Sequence, residues 1–185
     1  MLNFQKSKLR NFLGLVLISA LITACNPITP AVNIPAGQVV SCEKIKTIDN
    51  ATSDLTLECL DGKSSVDLAD ISGPAVLNYW GTWCGPCRDE IPYFVDLNNA
   101  LPKDLVLIGV NREEVSPADA IKFIEDFGIT YPQLSDPTGL SKSLVGLSIP
   151  ITVFISSDGQ VAYTHVGAVK SVDELRELIR KHLGI

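Results

Sequence analysis

The run AVLNYW, Ala75 to Trp80, carries no charge and stops at Gly81, a few residues ahead of WCGPC. A short apolar run bounded in this way reads as a buried strand. Beyond the second cysteine, a helix is expected to continue to about Ala100. Pro92 lies inside it, where the missing N–H predicts a kink. A strand that feeds a helix through two cysteines sets Cys84 at the helix N-terminus.

The rest of the chain supplies layers around that unit. LTLECL (55–60) and SSVDL (64–68) read as a hairpin turning at Asp61-Gly62. LVLIGVN (105–111) is a second buried strand. SPADAIKFIEDFG reads as a helix with Ser116 as N-cap, Pro117 at its first position and Gly128 as its stop. ITVFIS (151–156) and VAYTHVG (161–167) flank Asp158-Gly159 as a second hairpin. SVDELRELIRKHL has a Ser171/Glu174 capping box and places Leu175, Leu178, Ile179 and Leu183 on one face. The order predicts an α/β fold with a central mixed sheet flanked by helices and an added N-terminal hairpin.

The two ends of the chain differ in charge. Lys6, Lys8 and Arg10 are the only charged residues before Cys25, so the net charge of -6 becomes -9 without them. An acidic domain argues against nucleic acid or an anionic membrane surface as its partner. The basic head leads into FLGLVLISALITA, which is short for a membrane span and reads as a signal segment over 1–24. Ile22-Thr23-Ala24-Cys25 resembles the lipobox of bacterial lipoproteins, which implies lipid attachment at Cys25 and export of the domain. Residues 25–41 hold Pro27, Pro30 and Pro35 and no charge, and they read as an extended tether ahead of a domain at 42–185. At ~3.1 Å per residue the tether spans on the order of 40–50 Å.

With Cys25 set aside, Cys42, Cys59, Cys84 and Cys87 remain, an even number in a compartment that permits disulfides. Cys84 and Cys87 are neighbours, which makes Cys42 and Cys59 the natural second pair among three connectivities. The CGPC pair could hold a metal, lock a loop or cycle between dithiol and disulfide. A structural zinc site commonly needs four ligands, and His165 and His182 have no ligand partner nearby in sequence, so no metal and no cofactor is expected. At a helix N-terminus, unpaired N–H groups and the macrodipole favour a thiolate, lowering the Cys84 pKa from about 8.5 towards neutrality. Cys87 lies one turn on, within disulfide reach; Gly85 allows close approach and Pro86 adds rigidity. The charges in RDE (88–90) and NREE (111–114) read as solvated faces.

Trp83-Cys84-Gly85-Pro86-Cys87 matches the thioredoxin active site, and the wider NYWGTWCGPCRDEIP resembles the TlpA/ResA branch of extracytoplasmic thioredoxin-like thiol–disulfide oxidoreductases. The resemblance spans roughly residues 55 to 183. It implies Cys84 as nucleophile and Cys87 as resolving thiol. It also implies Ile149-Pro150 as the proline loop that docks substrate backbone, and Glu90 as a proton-transfer group. Where cytoplasmic thioredoxins carry a buried Asp, this chain has Asn78, and an amide cannot act as a base. A copper-delivery protein of the Sco type, the non-enzymatic alternative, would use CxxxC spacing. The resemblance implies exported thiol or disulfide proteins as substrates, with reduction the expected direction, as in cytochrome c maturation. Electrons would then come from a membrane thiol transporter of the CcdA/DsbD kind. An oxidant recharged by a quinone-linked partner is the alternative, since about 30 mV shifts such couples tenfold.

Overall fold

The computed structural model describes residues 37–48 and 54–185. The signal segment expected at 1–24, the lipidation expected at Cys25 and the tether up to residue 36 lie outside the described residues. The elements follow the order β1 (Thr56–Cys59), β2 (Ser65–Asp67), β3 (Ala75–Trp80), α1 (Gly85–Asn98), β4 (Val106–Arg112), α2 (Pro117–Asp126), β5 (Gln133–Asp136), α3 (Lys142–Val145), β6 (Ile151–Ile155), β7 (Val161–Val166) and α4 (Val172–Leu183). Short helical turns lie at Cys42–Lys44 and Leu68–Asp70. Among the described residues, no helix is long and apolar enough to cross a membrane.

The strands form one mixed sheet in the order β2-β1-β5-β4-β3-β6-β7. All six residues of β3 are buried, and the strand sits between parallel β4 and antiparallel β6. One face carries Val76 and Trp80 into a core with Ile91, Phe94, Phe123 and Leu175 from α1, α2 and α4. The other carries Leu77 and Tyr79 into a second core with Leu57, Val66 and Ile71 from the N-terminal segment. This is the expected thioredoxin-like α/β arrangement with its added hairpin.

The helix ends follow their capping signals. Ser116 accepts a hydrogen bond from the Asp119 N–H at 3.3 Å, with Pro117 opening α2 and Gly128 leaving it at φ 70°. At α4 the Ser171 hydroxyl accepts from Glu174 N–H at 3.1 Å. The Glu174 carboxylate reaches back to Lys170 N–H at 2.7 Å, one residue outside the usual box. Pro92 lies within α1 as read from the sequence.

Strand β5 was not foreseen, and its composition explains why. Its sequence QLSD has neither an apolar run nor alternation, yet Gln133 and Asp136 are fully buried. Their polar groups are satisfied by other elements: Gln133 accepts from Trp80 Nε1, distant in sequence, and Asp136 accepts from the Ser141 N–H and hydroxyl in the turn that follows. The packed domain also takes in residues ahead of Cys42. Gly37 N–H donates to Glu125 O, and Gln38 N–H to Ile129 O, so these residues lie against the end of α2.

Cys42 and Cys59 are joined by a disulfide across a sequence separation of 17, both 2% exposed in the second core. A closed loop of this size is worth about 3 kcal/mol through the entropy it removes from the unfolded chain. Replacing both residues by alanine is expected to lower unfolding free energy in urea by about that amount. An unchanged urea midpoint would show that the link does not restrain the unfolded chain.

Candidate active site: a cysteine pair above a buried carboxylate

Strand β3 ends at Trp80, and the chain turns through Gly81, Thr82 and Trp83 into α1. Cys84 is the N-cap of α1, and its sulfur accepts a hydrogen bond from Cys87 N–H at 3.2 Å. The two cysteines are joined by a disulfide with Cα atoms 5.3 Å apart. Cys84 is 5% exposed and Cys87 is fully buried, so an incoming group reaches Cys84 first. Gly85 and Pro86 are exposed on the first turn, and a Cβ at Gly85 would meet nothing within 4 Å. The neighbouring aromatics divide as their positions suggest: Trp80 and Tyr79 are core, while Trp83 is 56% exposed beside Cys84.

Glu90 stands three residues after Cys87 on the same helix, which places both on one face of α1. It is fully buried. Asn78 Nδ2 donates to Glu90 Oε1 at 2.7 Å, and Val169 N–H donates to Oε2 at 2.9 Å. Burial pushes the Glu90 pKa up to about 7, and the two donors only partly oppose it. The buried phenol of Tyr131 is raised too, first by burial and then by the nearby Glu90 charge. Asn78 therefore holds the carboxyl group, and the titrating role falls to Glu90.

Pro150 is buried, and the Ile149–Pro150 peptide is cis. It immediately precedes Ile151, the register partner of Tyr79, so its loop stands at the end of the sheet from which β3 runs to Cys84. Ile149 packs against the core that contains Cys84 and Cys87. The structure thus gathers Asn78, Trp83, Cys84, Gly85, Pro86, Cys87, Glu90 and Pro150 at one end of the sheet, whereas Cys42 and Cys59 belong to the core on its other face.

The solvated-face reading of RDE and NREE fails at several residues. Glu90, Asn111 and Arg112 are buried. The Glu114 carboxylate accepts from both Thr82 N–H (3.2 Å) and Thr82 hydroxyl (2.5 Å), directly before the cysteines. Arg88 lies over the Phe123 and Phe127 rings at 5.2 and 5.0 Å, an arrangement worth about 0.5–1 kcal/mol at exposed sites. A run of charges gives no sign in sequence of which member turns inward, because the partner is supplied by another loop.

Comparison with known proteins adds to this geometry. The AhpC/TSA family pattern matches residues 48–164. The thiol-disulfide oxidoreductase ResA of Geobacillus thermodenitrificans is 32% identical over 139 residues, 74% of this chain and 76% of its own. ResA of Oceanobacillus iheyensis is 28% identical over 180 residues, 90% of this chain and 87% of its own. Among solved structures, the pneumococcal exposed lipoprotein thioredoxin of Streptococcus pneumoniae superposes with a TM-score of 0.58 at 26% identity, covering 70% of this chain and 99% of that one.

The pKa of Glu90 has a consequence for stability. In the unfolded chain this carboxyl ionises near 4.5, whereas the folded protein holds the proton to about 7. Between those values the folded state binds the extra proton, so stability falls as pH rises and levels off above the folded pKa. At about 1.4 kcal/mol per unit the loss is on the order of 3 kcal/mol. In urea unfolding, the difference between the native protein and Glu90→Gln should shift across this window. A difference independent of pH would show that Glu90 ionises normally.

Proposed function

The chain belongs to the AhpC/TSA family, alongside the ResA-type thiol–disulfide oxidoreductases, and from that premise we propose that it acts outside the cytoplasm as a lipid-anchored reductant of exported proteins. Its oxidoreductase activity rests on the Cys84–Cys87 pair, with Glu90 beneath it as the proton acceptor. The observation that carries the site assignment is this stack: an N-cap cysteine, a buried cysteine one turn on, and a buried carboxyl titrating near neutrality one turn further.

In the reduced protein, the Cys84 thiolate attacks one sulfur of a substrate disulfide, breaking that bond and forming a mixed disulfide. The displaced substrate sulfur leaves as a thiolate and takes a proton from solvent. Cys87 then passes its proton to Glu90 and attacks Cys84 Sγ. The Cys84–Cys87 disulfide forms, the second substrate thiolate is released, and two electrons have moved to the substrate. A carboxyl group that titrates near 7 can take this proton and return it when the pair is recharged. A dithiol on a membrane thiol transporter would restore the reduced pair.

Export and anchoring are supported by the segment ending at Cys25 and by the similar pneumococcal protein that is itself described as a lipoprotein. The reducing direction is supported by the Gly85-Pro86 dipeptide and by Ile149 before Pro150, which resemble reducing thioredoxins.

Cys84→Ala is expected to abolish disulfide exchange, and Cys87→Ala to accumulate the mixed disulfide with substrate. Glu90→Gln should slow resolution at neutral pH by about 10²-fold, the lower range for losing a general base. Retained exchange in Cys84→Ala would overturn the site assignment. Direction is decided by the reduction potential of the pair: about -250 mV or lower fits a reductant, and about -120 mV assigns the reverse flow to a quinone-linked partner.

A further inference from the structure

Three consecutive charged residues at the end of β4, Arg112, Glu113 and Glu114, lie close to both halves of the active site. Arg112 ends the strand, and its side chain lies on the face of the sheet opposite to its neighbour Asn111, the register partner of Trp80. It is fully buried. Its Nη1 donates to Gly146 O at 3.1 Å and its Nη2 to Leu147 O at 3.2 Å. Two residues later, Glu114 accepts both polar hydrogens of Thr82, two residues before Cys84. Between them, Glu113 pairs with Lys142 of α3 at 2.5 Å.

The backbone makes this divergence possible. Among the described residues, Glu113 is the one non-glycine residue at positive φ, 53°. Its N–H is held by Asp136 O at 2.8 Å, so the turn is fixed at the edge of β5. A bulky residue at positive φ persists only where its surroundings over-determine it. Here three consecutive side chains each engage a different segment: the loop after α3, α3 itself, and the approach to the cysteines.

The loop after α3 is held at its far end by the packing of Ile149 and by Gly167 N–H, which donates to Pro150 O at 3.0 Å, and its near end depends on other contacts. Helix α3 is a single turn, far too short to be stable by itself. Asp136 receives the N–H groups of Leu140 and Ser141 at its start, and the Arg112 guanidinium takes the carbonyls of Gly146 and Leu147 past its end. Leu147 is 79% exposed and stands three residues before Pro150. A buried guanidinium bonded to two successive carbonyls therefore sets where the Pro150 loop begins.

We propose that Arg112 is a positioning residue for protein substrates. With Glu114 as its second arm, it fixes the spacing between the Thr82–Cys84 approach and the Gly146–Pro150 loop, the gap into which a substrate backbone fits. The inference rests on the reading of Pro150 as the substrate-side loop. Arg112 touches neither sulfur, so it acts on how a polypeptide is held and leaves the thiol chemistry alone. Small disulfides, which need no loop, are insensitive to it.

The test measures insulin reduction and the reaction with oxidised glutathione, using the purified full chain with dithiothreitol as electron source. Arg112→Met is expected to raise KM for insulin roughly tenfold, with kcat and the glutathione rate within about twofold. Arg112→Lys keeps the charge but cannot span two carbonyls in a fork, and is expected to rescue only part of the loss. Glu114→Gln should raise KM in the same sense. If Arg112→Met does not fold by circular dichroism, Arg112→Lys and Glu114→Gln decide on the same readout. An unchanged insulin KM, or a parallel fall for insulin and glutathione, overturns the proposal. Pro150→Ala separates the two layers. If it raises KM while the Arg112 and Glu114 variants do not, the positioning role alone fails. If it also leaves KM unmoved, the loop reading falls and takes the positioning role with it.

Discussion

Strand β3 has no solvent-facing side, and much of the architecture follows from that. A strand buried on both faces must be covered twice, so α1, α2 and α4 close one face while Cys42, Ile45, Leu68 and Ile71, from the turns around the N-terminal hairpin, pack on the other. Because β3 is central, its C-terminal end is also where parallel β4 and antiparallel β6 come together. The cysteine turn, the charged turn after β4 and the proline loop before β6 all emerge there. The chemistry sits at that end because three connections are forced to share it.

The polar groups inside this apolar frame are few, and those nearest the cysteines are paired: Asn78 Nδ2 donates to Glu90, and Trp80 Nε1 donates to Gln133. Glu90 would be costly to bury as a charge, and burial resolves that cost by retaining its proton towards neutral pH. Asn78 accompanies it with a donor and adds no second charge. An aspartate in the same place would face Glu90 across a hydrogen-bond distance, and two buried carboxyls so close could not both ionise. One buried titrating group is therefore paired with one neutral partner.

Much of this was legible in the sequence where the signal is local. The AVLNYW strand, the CGPC turn, the hairpins at Asp61-Gly62 and Asp158-Gly159, and the Ser116 and Ser171 caps depend on residues within a few positions of each other. Strand β5 and the buried Arg112 were not legible, because what makes them favourable lies far along the chain. Gln133 is matched by Trp80 and Arg112 by the carbonyls of Gly146 and Leu147. A polar residue with a distant partner looks, in sequence, like any surface residue. Glu90 lay between the two cases: its place one turn after Cys87 was visible, and its burial was not.

Gly109 shows how far the site extends into residues with no chemistry of their own. It faces Gln133 across the β4–β5 pair, and a Cβ there would lie 1.9 Å from Gln133 Oε1. That oxygen is the acceptor for Trp80 Nε1, and Trp80 shares a core with Cys84 and Cys87. The absence of a single methyl group thus leaves room for an amide that fixes the indole beneath the cysteines. A natural variant with alanine at 109 would keep every cysteine, the carboxyl and the proline loop, and would still displace the floor on which they stand. Survival of the redox motif alone is therefore an incomplete guide to whether a variant of this chain remains a working enzyme.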